Sequence, residues 1–175
     1  MDALTLVSPS IAYAAQIAAY RKAFLERGDS LDGTSELRRY TAPEAWLERL
    51  SRLSRRDTCP EGLVPSSTFL CVRTSDDTLV GMIDIRHVLN DYLFRFGGHI
   101  GYSIHPDWRR RGYADEQLRL GLAECRKLGL KRVLVTCAAD NEASRRTIHS
   151  AGGVFDGEVL DEADGKTTQR YWITL

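Results

Sequence analysis

The stretch Gly98-His99-Ile100-Gly101-Tyr102-Ser103-Ile104-His105-Pro106-Asp107-Trp108-Arg109-Arg110-Arg111-Gly112-Tyr113-Ala114 decides how this chain is read. Ile100, Tyr102 and Ile104 alternate with smaller residues, which predicts a strand over residues 99–105 that Pro106 ends. Leu118, Leu122 and Cys125 then recur at helical spacing, and Gly129 stops that helix. Residues 109–114 are therefore a strand-to-helix turn. The first turn of a helix carries backbone N–H groups without intrahelical partners and the positive end of the helix dipole, so it favours an anion. Gly112 removes a Cβ from the approach to a phosphate, Ala114 keeps the next position small, and arginines beside the turn can bond phosphate oxygens. Three arginines alone would be a solvated basic turn; the strand before and the helix after make it a phosphate site. Neither G-x-x-x-x-G-K-[ST] nor G-x-G-x-x-G occurs.

Working outward, the apolar run of residues 132–137 predicts a strand buried on both faces, and Asp140-Asn141 caps a short helix that ends at Gly152-Gly153. Residues 154–160 and 168–174 read as a hairpin around Asp164-Gly165. Upstream, residues 69–72 and 79–88 form a hairpin about Ser75-Asp76-Asp77, and residues 90–96 connect it to the decisive strand. A strand at residues 4–7 leads to a helix that begins at Ser8-Pro9, with Tyr13, Ile17, Tyr20 and Phe24 on one face and an end near Gly28. Residues 29–40 are a polar loop, and Pro43 starts a second helix whose apolar side is Trp46, Leu50 and Leu53. The order β, α, α, β, β, β, α, β, α, β, β predicts one α/β domain. Its mixed, mostly antiparallel twisted sheet has about seven strands flanked by about four helices. Residues 1–65 would supply the first two helices, 66–153 the core around the anion-binding turn and 154–175 a terminal hairpin.

The chain has 175 residues, one domain's worth, and Lys+Arg and Asp+Glu both number 24. Zero net charge argues against a chain that coats nucleic acid or an anionic membrane. Cys59, Cys71, Cys125 and Cys137 form no C-x-x-C pair and no zinc spacing with histidine, so no metal is expected; three of them lie among apolar residues as core hydrophobes. No basic leader precedes an apolar run, and nothing approaches a membrane span, which predicts a cytoplasmic chain with reduced thiols.

Arg109-x-x-Gly112-x-Ala114 resembles the R/Q-x-x-G-x-G/A acetyl-CoA motif of the GNAT superfamily of N-acyltransferases. The preceding Ile104-His105-Pro106-Asp107-Trp108 resembles that family's strand end, and the element order matches as well. The resemblance is specific over residues 98–153 and loose over the first 65. It implies that acetyl-CoA is the co-substrate and that main-chain groups of Ser103, Ile104 and His105 pair with its pantetheine arm. It also implies that the turn of Arg109, Arg110, Arg111, Gly112, Tyr113 and Ala114 holds the pyrophosphate. Asn141, with Ser144 three residues on, resembles the family's cofactor-bonding Asn; read without the family, Asn141 is a plain helix N-cap.

The implied reaction is direct attack of a primary amine on the thioester. That requires a deprotonated amine and a main-chain donor for the developing oxyanion, placed near Ile104 and His105. The family's usual acid, a Tyr seven residues after the Asn, falls on Ile148, and its usual Glu base falls on Gly98. His99 and Asp84 become the candidate proton-transfer residues: one on the strand expected to line the cleft, one inside the second hairpin strand. His105, His149 and the hydroxyls of Tyr102, Tyr113 and Tyr171 are weaker candidates, the tyrosines being suited to packing. The resemblance places the acceptor, a small molecule or peptide bearing an amine, against the loop 29–40 and the last hairpin, and homodimers are common among relatives. The Arg49, Arg52, Arg55 and Arg56 cluster reads as a solvated helix face. Two other classes compete: a CoA-binding sensor or partner module with little catalysis, and a nucleic-acid binder using Arg109–Arg111, disfavoured by zero net charge and the lack of a groove-reading motif.

Overall fold

A computed structural model describes residues 2–175. Its order is β1 (Leu4–Val7), α1 (Ala14–Arg27), α2 (Pro43–Leu53), β2 (Ser66–Arg73), β3 (Thr78–Arg86), β4 (Ile100–Ile104), α3 (Tyr113–Lys127), β5 (Arg132–Ala138), α4 (Glu142–Ser150), β6 (Val154–Asp161) and β7 (Lys166–Thr174). The seven strands form one sheet in the order β1-β2-β3-β4-β5-β7-β6, antiparallel except where β4 meets β5. Sequence and structure agree on this class, with several local differences. α1 opens later than Pro9: a single 3-10 turn at Ile11–Tyr13 follows Ser10, whose extended φ of −147° marks the entry. The polar loop 29–40 contains a 3-10 turn at Leu37–Arg39, fixed by the buried Leu37. The connection before β4 holds a five-residue wide turn, Leu93–Gly97, begun by the Asn90 side chain accepting from the Leu93 N–H at 2.9 Å.

Alternation along the strands sends side chains to two cores. On one face Leu70, Val72 and Met82 pack against Ile17, Tyr20, Phe24 and Trp46 of α1 and α2. On the other, Ile83, Ile85, Ile100, Val133 and Val135 pack against Leu118, Leu122 and Cys125 of α3 and Ile148 of α4. Each such fully buried side chain stabilises the fold by about 1.5–3 kcal/mol. The Tyr13–Phe24 stripe is thus core: Ile17, Tyr20 and Phe24 are buried, and only Tyr13 reaches the surface, bonding Asp77. Leu134 is fully buried, as the apolar run of β5 predicts.

Two features of the sheet position the site. The β4–β5 ladder contains one pair, Ile100↔Val135, after which the parallel strands part. The loop after α1 is pressed onto β4 at the same level. A Cβ on Gly33 would stand 2.2 Å from the Gly101 carbonyl oxygen, so only glycine permits this contact. The Ser103 hydroxyl donates to the Asp32 carbonyl at 2.7 Å and secures the same approach. Among the described residues all four cysteines are free, no group of side chains is arranged to hold a metal, and no helix is long and apolar enough to cross a membrane.

Candidate functional site

A cleft of about 1060 Å³ opens where β4 and β5 part. One wall carries Tyr102, Ile104, Ala114, Thr136, Asn141, Ser144 and Thr147; the other is formed by Asp29, Asp32, Gly33, Arg86, Tyr92 and Phe96. The volume suits a large cofactor and part of a second substrate.

Main-chain direction along β4 follows from the ladder with β3. The Arg86 N–H donates to the His99 carbonyl at 2.7 Å and the His105 N–H to the Val80 carbonyl at 2.8 Å. Alternation then commits the main-chain groups of Gly101 and Ser103 to β3 as well, and turns those of Tyr102 and Ile104 toward β5. The ladder with β5 has ended by then, so apart from the Ile104 carbonyl, which accepts from Arg109, this edge presents free hydrogen-bonding groups to an extended ligand. Of the three residues expected to pair with a pantetheine arm, Ile104 faces the gap. Ser103 and His105 spend their main-chain groups on β3, and Tyr102 takes their place. The Ser103 side chain is also engaged, with Tyr20 and Asp32.

At the far end of the gap the turn has the expected form. Arg110 and Gly112 adopt left-handed φ values of 62° and 78°, and Gly112 is the N-cap of α3 with no side chain capping it. The N–H groups of the first turn therefore remain free for an anion, at the positive end of a 15-residue helix. The three arginines divide. Arg109 folds inward: its guanidinium pairs with Asp29 at 2.7 Å, donates to the Ile104 carbonyl at 3.2 Å and lies over the Phe24 ring. Arg111 stacks on Trp108, whose ring also receives Arg73. Arg109 thus ties the turn to α1 and β4, leaving Arg110 and Arg111 to add surface charge. The Tyr113 ring is buried and its hydroxyl donates to Asp2, so this residue offers only its main chain.

Asn141 caps α4, its Oδ1 accepting from the Ser144 N–H at 3.1 Å. This uses the oxygen and leaves the amide NH₂ on the cleft wall, so capping and ligand contact are compatible. The Ser144 Oγ lies 2.9 Å from the Tyr102 hydroxyl. These groups fit acetyl-CoA: uncapped N–H donors for the pyrophosphate, an unpaired strand edge for the amides of the arm, and a cleft of the right size between them.

The proton-transfer candidates lie elsewhere. His99 is 6% exposed and does not line the cleft. Its Nδ1 accepts from the Leu134 N–H at 2.9 Å, and its ring stands edge-on to Trp172. Burial, aided by the charge of Arg86, lowers its pKa to about 4. It closes the apex of the β4–β5 gap as a neutral ring. Asp84 is 3% exposed and both of its oxygens are taken: Oδ1 by Thr68 and Ser35, Oδ2 by Arg86 Nε at 2.9 Å. It is the buried half of an ion pair whose other half, Arg86, reaches the cleft wall. Ile148 is fully buried against Gly153, so the position of the missing tyrosine faces the core.

Among the cleft residues that escaped the sequence reading are Thr147, Arg86 and Gly33. Thr147 follows from the helical spacing of Asn141 and Ser144. Arg86 ends a strand, where periodicity is silent. Gly33 gave a signal as a lone glycine in a polar loop, without indicating that β4 was its neighbour.

A central β4 with one free edge lies opposite the uncapped N-terminus of α3, across a splayed parallel strand pair. The model of the acetyltransferase (GNAT) domain matches residues 13–154, and the chain belongs to that family of acetyltransferases. No curated protein sequence matches it significantly. Among solved structures it is similar to the ribosomal-protein-S5-alanine acetyltransferase of Vibrio fischeri, at 18% identity and a TM-score of 0.71 over 98% of this chain and 91% of that one. It is also similar to RimJ of Mycobacterium smegmatis in complex with CoA-disulfide, at 21% identity and a TM-score of 0.72 over 98% and 81%. A third is the spermidine/spermine N-acetyltransferase SpeG of Vibrio cholerae, at 15% identity and a TM-score of 0.65 over 98% and 95%.

Proposed function

We propose that this acetyltransferase moves the acetyl group of acetyl-CoA to the primary amine of a cationic acceptor by direct attack within the cleft. The observation that carries the reading is the free edge of β4 aligned with the uncapped first turn of α3. The α3 turn, residues 110–114, would hold the pyrophosphate, the main chain of Tyr102 and Ile104 the arm, and the Asn141 amide one of its carbonyls. Bound so, the donor presents an activated acetyl group at the apex near Ile100. The free N–H groups of β4 would receive the negative charge that develops on its oxygen.

The acceptor would enter on the side of the loop 29–40. Asp29, Glu36 and Asp84 each face an arginine, whereas the Asp32 carboxylate receives only the Ser30 hydroxyl, at 2.7 Å. An uncompensated carboxylate beside Gly33 and Ser103 draws an ammonium to the thioester and can pass its proton to water. Tyr92 and Phe96 give the same chamber an apolar side. Two of the similar structures are named for acetylating a ribosomal-protein alanine and a polyamine, and both types of amine fit a chamber of this charge.

The test measures thiol release from acetyl-CoA with a panel of alanine-starting peptides, spermidine and free amino acids, beside a thermal-shift titration with CoA. Stabilisation by CoA and release with at least one amine class are expected. CoA binding with no turnover on any amine would favour the sensor reading, to which the buried Ile148 and the side-chain-free Gly98 give some support. No response to CoA would overturn the donor assignment.

A further inference from the structure

Breaking a thioester leaves an alkyl thiolate, and an anion formed in a partly closed cleft is stabilised by donors already aimed at it. The wall between β4 and α4 is rich in hydroxyls. Asn141, Ser144 and Thr147 recur every third residue and turn one edge of α4 to the cleft. Tyr102 crosses from β4 to meet them, its hydroxyl 2.9 Å from Ser144 Oγ. Its main-chain groups face the same gap, so its ring lies beside whatever pairs with that edge. Ser144 is fixed in turn, because its N–H is held by Asn141.

We propose that Tyr102 is the catalytic residue that donates a hydrogen bond to the departing sulfur, with Ser144 as the positioning residue that orients the phenol. The inference rests on the acetyl-CoA reading above. In the step itself the acceptor nitrogen forms the C–N bond and the C–S bond breaks, its electron pair remaining on sulfur. The nitrogen gives up one proton to solvent and the thiolate takes one from solvent on release, so the exchange balances with no further reactant. Tyr102 keeps its proton throughout. Burial pushes its pKa to about 12, with Cys137 on β5 and Asp115 on α3 acting in the same direction, while the hydroxyls of Ser144 and Thr147 oppose. A thiol of the cysteine type ionises near 8.5, so full transfer from such a phenol would run uphill, whereas an O–H···S⁻ bond lowers the energy of the leaving group directly. With the phenol proton pointed at sulfur, the Ser144 hydroxyl donates to the Tyr102 oxygen.

The experiment needs no acceptor. CoA is bound to the protein and its thiolate is followed by ultraviolet absorbance as the pH is raised, for the wild type, Tyr102→Phe and Ser144→Ala. The bound thiol of the wild type should titrate below that of free CoA. In Tyr102→Phe its midpoint should rise by about one pH unit, a tenfold loss of thiolate on the scale of one hydrogen bond to a charged group. Ser144→Ala should raise it less. Affinity for desulfo-CoA, which lacks the sulfur, should change less than about twofold. An unchanged midpoint in Tyr102→Phe, or an equal loss of desulfo-CoA affinity, would overturn the assignment. If Tyr102→Phe does not fold, Ser144→Ala decides, and an unchanged midpoint there overturns it. Wild-type protein that binds no CoA would instead sink the donor reading itself.

Discussion

Replacing Gly33 by alanine adds one methyl group and should disconnect the acceptor loop from β4. The residue has φ +68°, and its new Cβ would lie 2.2 Å from the Gly101 oxygen, 2.4 Å from the Gly101 carbon and 2.5 Å from the Tyr102 Cα. All three are main-chain atoms of β4, held at this level by its pairing with β3, so no side chain can swing aside. Left-handed φ costs a non-glycine residue about 1–2 kcal/mol, and forcing a methylene into packed backbone adds about 1–3 kcal/mol. The Ser103–Asp32 hydrogen bond, which depends on the same approach, contributes about 1 kcal/mol more if the loop lifts. The sum is roughly 3–6 kcal/mol, partly relieved if residues 29–34 move away from β4. Gly28→Ala is the internal control. Its φ is nearly the same at +69°, but nothing lies within 4 Å of the added Cβ, so only the conformational cost of about 1–2 kcal/mol applies. Urea denaturation of both variants measures the difference, and donor and acceptor kinetics locate it. Gly33→Ala should be the less stable by about 2 kcal/mol or more, with KM for the acceptor raised and CoA affinity nearly unchanged. Equal stability of the two variants, or unaltered acceptor kinetics in Gly33→Ala, would refute the claim that this contact builds the acceptor chamber.

Other outcomes follow from the same geometry. Gly112→Glu puts a side chain and a negative charge on the N-cap of α3, where φ is +78°, and should abolish CoA binding in a calorimetric titration without unfolding the chain. Asn141→Ala removes the α4 cap together with one ligand contact; CoA should bind about 1 kcal/mol more weakly, and the melting temperature should also fall. His99 supplies a pH signature. Its folded pKa, about 4, lies below its ordinary 6.5, so the unfolded chain takes up the proton first. The stability this neutral ring contributes is full above pH 6.5 and is lost as the pH falls toward 4; by the pKa gap it amounts to roughly 3 kcal/mol. His99→Gln should flatten that part of the stability–pH curve measured by denaturant titration, and an unchanged slope would remove His99 from the apex.

Residues 98–114 were enough, with elementary helix and strand chemistry, to put β4, a glycine turn and the start of α3 in that order. The periods of the surrounding segments gave the order of all eleven elements, because burial on one side writes itself into spacing. Local departures such as the 3-10 turn before α1 arise from backbone choices that periodicity does not encode. Function of individual side chains was less legible. His99 and Asp84 have the right chemistry at plausible positions, yet a titratable residue on a strand can face a ligand, a neighbouring strand or a core. Only the fold sends His99 to the Leu134 amide and Asp84 to Arg86.

The sequence by itself determined the helix-start end of the cleft, the turn between β4 and α3, since a helix start with its glycine and neighbouring strand is a local feature, complete within some twenty residues. The tertiary structure alone decided the other end. Asp32 and Gly33 reach Gly101 and Ser103 across about seventy residues of chain, and Tyr102 meets Ser144 across about forty. Such contacts depend on where β4 and β5 cease to pair, and that is set by the packing of whole layers, not by the spacing of residues along any one of them.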